Sequence, residues 1–374
     1  MANENLTLIK GGSGSSISET IPALGRLKEL VVRVSATLTI PALVSGLKSG
    51  GIPNGLMPSL SLSSTKHNQI INLASGVDIL DQALLLKGKS GYVSIQKGAG
   101  AAAPFRKSTN YASADIIAAT ADTYIVTAFF RYSFEAMSES QPENAFFQDT
   151  VDETLSLKAT LGDASQVYAV PATTAFSNIT WSILGVVTPE LNFGQKMTEV
   201  IARANAGSSE ALAEYRELRT KYPLYPEGLV RKLFVANQSS QNPGANSVDI
   251  YKDGVSRILE GVAHTFSASA TPFALADVMD TFQLQMVLKD GGGTTNIFNS
   301  IGEVAQELFD GDSQNIYATG FYPYSAYLGP LGKKGGYRDT LNASQLTTNY
   351  SISGAAGMGV KTIALVNESF KAQA

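Results

Sequence analysis

Apolar and polar residues alternate along much of this chain. From Lys28 to Ile40, residues Leu30, Val32, Val34, Ala36, Leu38 and Ile40 share one parity, while Arg33, Ser35, Thr37 and Thr39 share the other. The period of two returns from Thr123 to Glu135, with Tyr124, Val126, Ala128, Phe130, Tyr132 and Phe134 inward. It returns again from Thr281 to Lys289, with Phe282, Leu284, Met286 and Leu288 inward, and Leu155, Leu157, Ala159 and Leu161 follow the same rule. Successive side chains of a strand point to opposite faces, so this pattern predicts sheets with one face on a core. Clusters rich in Gly, Pro, Asn, Lys and Ser (GLKSGGIPNG, KGKSG, QKGAGAAAPF, SESQPEN) punctuate the first half. Short strands separated in this way predict a sandwich or jelly roll over residues 25–188.

Between Pro189 and Pro226 the period becomes helical. Phe193, Met197, Val200, Ile201 and Ala204 recur at the spacing of one helix face. Gly207 breaks the chain, Ser208 is placed to cap a second helix, and Leu212, Tyr215 and Leu218 mark its apolar stripe. Residues 189–226 therefore read as a helical linker, and 190–221 as the helices within it. Strand patterns resume over residues 227–374: Leu229–Ala236, Arg257–Phe266, Thr281–Lys289, Leu346–Ile352 and Val360–Val366, with a glycine turn at Lys289–Thr294 and one short helix at Glu303–Phe309. The organisation is all-β, two jelly-roll domains joined by a short helical linker. Residues 1–24 are rich in Gly and Ser, with two apolar spots, and read as a flexible N-terminal arm, either a disordered terminus or a tether that orders on assembly.

Composition narrows the function. Either half of a 374-residue chain is long enough to bury a core of its own. Only 16% of residues are charged, against about a quarter in an average globular chain, which suits a subunit covered by neighbours. A formal charge of -4 and no basic cluster beyond Lys333-Lys334 argue against sequence-specific nucleic-acid binding, which draws its affinity from Lys and Arg on phosphates. With no cysteine there is no disulfide, thiolate nucleophile or cysteine metal site. The opening MANENLTLIKGGSGSS lacks the basic start and apolar core of a secretory signal, and Ala164–Pro189, the longest uncharged stretch, reads as paired strands rather than a membrane span.

Candidate chemistry is sparse. His67 and His264 are the only histidines, too few for most metal or triad sites unless they meet in space, and His264, on an alternating strand, reads as a core or interface residue. Gly88-Lys89-Ser90 resembles the end of a phosphate loop, but Ala83 stands where the earlier glycine is required. Asp310 and Asp312 share a turn that could meet a hard cation, without the spacing or distal glutamate of a calcium loop. Glu135, Glu139 and Glu143 follow a strand and read as a polar loop, and Trp181 reads as a core or inter-domain plug. The expectation is a chain with no catalytic, metal or cofactor-binding residues and no enzymatic activity.

The order of segments supports a resemblance. An N-terminal arm precedes Leu27–Ile40; TADTYIVTAFFRYSFEAMSESQPENAFF and ETLSLKATL follow; then YPLYPEGLVRKLFV enters the second β half. This resembles the double jelly-roll major capsid proteins of tailless icosahedral, tectivirus-like bacteriophages. The resemblance implies two jelly rolls side by side, with the helices at their junction or on an inner or outer face. It implies a homotrimer of hexagonal outline that tiles a virion shell after synthesis in a host cytoplasm. The partners it implies are neighbouring capsomers, penton and minor capsid proteins, and an internal membrane reached through the N-terminal arm. Two other classes compete. One is a carbohydrate- or receptor-binding jelly roll using Tyr322, Tyr324 and Tyr327; the other is a capsid protein of the tailed-phage fold, which needs a longer spine helix.

Overall fold

The alternating segments fall on strands, and at Leu30–Ile40, Tyr124–Phe134 and Leu155–Leu161 their apolar parity faces inward. In the computed structural model the described residues are 5–21, 26–40, 45–47, 51–65, 67–80, 93–97, 105–108, 122–134, 147–148, 154–170, 174–187, 193–221, 229–241, 244–252, 257–268, 271–272, 283–290, 293–301, 321–325, 343–352 and 358–369. The first half contributes β1 (Asn5–Ser13), β2 (Ser16–Ile21), β3 (Arg26–Ile40), β4 (Ser45–Leu47), helix α1 (Gly51–Leu56), β5 (Ser59–Ser64), β6 (Asn68–Ala74), β7 (Val93–Lys97) and β8 (Phe105–Ser108). It continues with β9 (Asp122–Ser133), β10 (Phe147–Gln148), β11 (Leu155–Thr160), β12 (Tyr168–Val170) and β13 (Ala175–Val187). Helices α2 (Phe193–Asn205) and α3 (Ser209–Lys221) come next. The second half contributes β14 (Leu229–Gln241), β15 (Gly244–Tyr251), β16 (Arg257–Ala268), β17 (Thr271–Pro272), β18 (Gln283–Asp290), β19 (Gly293–Ile301), β20 (Phe321–Ser325), β21 (Ala343–Ile352) and β22 (Met358–Ser369).

One sheet runs β1-β13-β3-β9-β7-β8, with β10 beside β3. Opposite it lies the run β2-β11-β5-β6, and the two inner faces share one core: Ile17, Ile21, Leu62 and Leu157 pack in the same cluster as Val34, Leu38, Val126 and Phe130. On β3 and β9 the register is unbroken from Glu29↔Ser133 to Ile40↔Asp122, so the inward parities coincide across the pair. Leu38, Val34, Val126 and Ala128 are fully buried, while Ile125 and Phe129 on the other parity are 38% and 36% exposed. In the second half, β14-β22-β16, with β17 and β20 beside β16, accompanies the sheet β15-β21-β18-β19.

The two halves share a sheet. β6 and β14 pair in parallel at Ile71↔Leu233, so β2-β11-β5-β6 continues into β14-β22-β16 as one nine-stranded sheet. Every other strand pair among the described residues is antiparallel.

One feature departs from the sequence reading. Residues 5–21, taken as a flexible arm, are a hairpin split between the two sheets: β1 pairs with β13, and β2 pairs with β11. Ile17 and Ile21, the second apolar spot, are 2% and 1% exposed, and that burial anchors the segment. Gly14, at φ +118°, makes the turn, and Gly12 leaves room for Trp181, whose ring would lie 2.5 Å from a Cβ there. A segment woven into two sheets is part of the first β half rather than a loose arm. The linker helices form the expected pair. They pack on each other, with Val200 and Ala211 buried and Arg203 bonded to Glu214 at 2.7 Å. Among the described residues the pairing of β6 with β14 joins the two halves. Ser208 Oγ accepts from Ala211 N at 3.2 Å, the cap read from the sequence, and Gly207 turns the chain at φ +93°.

Candidate functional site

The described polar groups with the most elaborate settings lie where the halves meet. β14 passes through the middle of the shared sheet, and from Val230 to Leu233 both of its parities are buried. Val230 and Leu233 are each 2% exposed. Arg231, between them, has no exposed surface; its Nη1 donates to Ser133 O at 2.8 Å, and Tyr132 Oη donates to Arg231 O at 2.5 Å. Lys232, on the other parity, bonds Glu368 of β22 at 2.8 Å. A buried cation is tolerated only when its donors are satisfied, and here β9 of the first half and β22 of the second do this for neighbouring residues.

A second lock lies on β22. Lys361 Nζ meets Asp78 Oδ1 at 2.5 Å and Ser75 Oγ at 3.3 Å. Asp78, 1% exposed, also accepts from Ser75 N and Ser75 Oγ through Oδ2, both at 2.7 Å. Asn54 Oδ1 accepts from Val77 N at 3.0 Å, which ties the same turn to α1. An anion of the first half and a cation of the second are thus held in one hydrogen-bonded group, and the hydrophobic core is continuous across it, with Val230, Leu233, Ile363 and Leu365 in the first half's cluster.

The residues singled out from the sequence are not brought together. His67 is 3% exposed, and its backbone N–H donates to Ser64 Oγ at 3.2 Å in the β5–β6 turn. His264 lies on β16 opposite Tyr322 of β20, so the two histidines belong to different halves. Tyr322 and Tyr324 sit on β20 beside β16. Tyr327, Gly88-Lys89-Ser90, Glu135, Glu139, Glu143, Asp310, Asp312, Glu303–Phe309 and Lys333-Lys334 lie outside the described residues. Among the described residues no three His, Asp or Glu groups are placed to hold a metal. Trp181 is 7% exposed and faces the first core, as read. Tyr168, without exposed surface, has its phenol pushed up to about 12 by burial and then by the neighbouring Tyr124.

The sequence reading missed Arg231, Lys361 and Asp78. For Arg231 a signal was present: two adjacent cations inside the apolar run Leu229–Ala236 place one charge on each face of a strand, which a one-faced strand does not do.

No family model matches the chain, and no curated protein matches it in sequence. Solved structures do match in fold. The STIV MCP aligns over 99% of this chain and 96% of its own, at 11% identity and a TM-score of 0.56. A chain from the atomic structure of Sulfolobus Turreted Icosahedral Virus aligns over 100% and 91%, at 10% identity and 0.56. PBCV-1 VP54, fitted into a cryo-EM reconstruction of the virophage Sputnik, aligns over 98% and 94%, at 12% identity and 0.50. The chain has the double jelly-roll fold of these viral capsid proteins. The tailed-phage alternative is overturned by this fold, and each of the two linker helices has only 13 residues.

Proposed function

We propose that this chain is the major capsid protein of an icosahedral virus. It acts as a structural subunit without enzymatic activity, forming homotrimers of hexagonal outline that tile the shell beside penton and minor capsid proteins. The observation that carries the reading is the extent of the match to the STIV MCP, which takes in nearly all of both chains and therefore both jelly rolls. Residues 25–188 and 227–374 are the two jelly rolls of this reading and 189–226 the segment between them, with β1 and β2 added to the first. The locks at Arg231 and Lys361 support it physically, because a shell tile must transmit lateral load without its halves rotating. The low charge content supports it too, since surface covered by neighbours needs few charges for solubility. Mass measurement in solution with electron microscopy of the purified protein tests the proposal. Trimers of hexagonal outline are expected, and a chain that stays monomeric at high concentration overturns it.

A further inference from the structure

The second half closes around two contacts between β14 and β15. The rings of Phe234 and Tyr251 lie 5.8 Å apart, and Gln238 Nε2 donates to Ser247 O at 3.0 Å. Each contact joins residues equally far from the turn between Gln241 and Gly244, so the two strands run level with each other. Ala236 and Val248 lie between these contacts. Ala236 pairs with Thr362 of β22, and Val248 pairs with Thr348 of β21. Thr362 stands two residues from Ala364, the partner of Phe234, and Thr348 stands two residues from Leu346, the partner of Tyr251. Alternate residues of a strand share a face, so both threonines lie on the facing inner surfaces of the two sheets, level to within one residue.

Both side chains are enclosed, Thr348 without exposed surface and Thr362 at 1%, and neither hydroxyl has a hydrogen-bond partner among the described residues. Buried polar groups are as a rule paired with protein or ordered water, because losing solvent without replacing its hydrogen bond costs free energy. The immediate neighbours are small: Ala236 flanks Thr362, and Val248 flanks Thr348. Facing sheets pack about 10 Å apart, a gap too wide for two short side chains to bond directly and wide enough for one water between them. Charge is directed elsewhere. Asp249 pairs with Thr347 on the opposite parity, where it accepts from Thr347 Oγ1 at 2.6 Å and from Gln345 Nε2 at 2.8 Å.

We propose that one buried water bridges Thr348 and Thr362 and ties the two sheets of the second half together, beside the Phe234–Tyr251 contact. The water donates to one hydroxyl and accepts from the other. Two neutral hydroxyls with aliphatic neighbours suit water and not an ion, whose charge would be left uncompensated. The aromatic contact fixes the spacing of the sheets by packing, and the bridge fixes it one step further along by hydrogen bonds. It lies inside one chain, so it forms whether or not copies associate.

Valine has the shape of threonine without the hydroxyl, which makes the test one of sign. Full-length Thr348→Val, Thr362→Val and the double variant are melted beside the wild type at equal concentration. Each single change strands a water that the other hydroxyl still holds, so each is expected to lower the melting temperature by about 1–3 °C. The double variant leaves nothing polar to satisfy and is expected to melt well above the sum of the two losses. Single variants that melt at or above the wild type show hydroxyls that were simply unpaired, and overturn the bridge. Losses that add would give each hydroxyl a separate partner and overturn it as well. A high-resolution map of the wild type gives an independent reading: a density peak within hydrogen-bond distance of both hydroxyls is expected, and hydroxyls bonded to other protein groups overturn the proposal.

Discussion

β3 and β14 are both long strands near the centre of a sheet, and they bury their side chains by different rules. β3 buries one parity. Leu30, Val32, Val34, Ala36, Leu38 and Ile40 are 0–3% exposed, while Arg33, Ser35 and Thr37 stay partly open on the other face, where Val31 is the one buried exception. β14 buries both parities from Val230 to Leu233, and it places Arg231 and Lys232 where β3 places valines. A one-faced strand needs only a hydrophobic parity. A two-faced strand at a junction needs partners for whatever polar groups it carries, and those partners come from distant segments: Tyr132 and Ser133 on β9, Glu368 on β22.

Removing residues 1–21 should have the largest effect. Loss of β1 and β2 uncovers the edges of β13 and β11 and removes Ile17 and Ile21, each worth about 2–5 kcal/mol by analogy with large-to-small core changes. The truncated chain is expected to melt far below the intact one or to aggregate; an unchanged melting temperature would restore the flexible-arm reading. Next comes the one-faced rule itself. Phe130→Ala, at 1% exposure, should cost about 3–5 kcal/mol in denaturant unfolding, while its neighbour Phe129→Ala, at 36%, should cost less than about 1 kcal/mol. Equal costs would mean that both faces of β9 are buried in solution.

The junction is probed by Lys361→Met, which leaves Asp78 buried without its cation and should cost about 3 kcal/mol. Pairing it with Asp78→Asn should recover part of that loss, and the size of the recovery in a double-mutant cycle measures the lock. A single unfolding transition is expected throughout, because the sheet and the core both run across the junction. Two separate transitions would show the halves to be independent.

The smallest effects separate two tyrosines. Tyr132→Phe removes the bond to Arg231 O and should cost about 1 kcal/mol. Tyr168→Phe should cost nothing or stabilise slightly, since the Tyr168 hydroxyl is buried with no hydrogen-bond partner among the described residues. Because the folded Tyr168 phenol is raised to about 12, the unfolded chain gives up that proton first on the alkaline side. Its contribution is therefore complete below about pH 10 and lost as pH rises toward 12, and the wild type should lose stability over that window more steeply than Tyr168→Phe.

The all-β class, the strands at 28–40 and 123–135 with their inward parity, the capped pair of helices and the jelly-roll character of both halves were written in local order, because strand and helix periods are properties of neighbouring residues. The placing of residues 5–21 was not. A Gly- and Ser-rich stretch with two apolar spots carries little signal of its own, and what orders it is the open edges of β13 and β11, strands more than 130 residues away. The helical stripe was legible but its partner was not: tertiary packing buried Val200 against Ala211 and left Ile201 and Leu212 outside. The junction was decided wholly in three dimensions. Ile71 meets Leu233, Asp78 meets Lys361 and Ser133 meets Arg231 across spans that no periodicity encodes. A charge inside an apolar run becomes a structural element only when the fold carries its counterpart to it, since burying it alone would cost more than the strand could return.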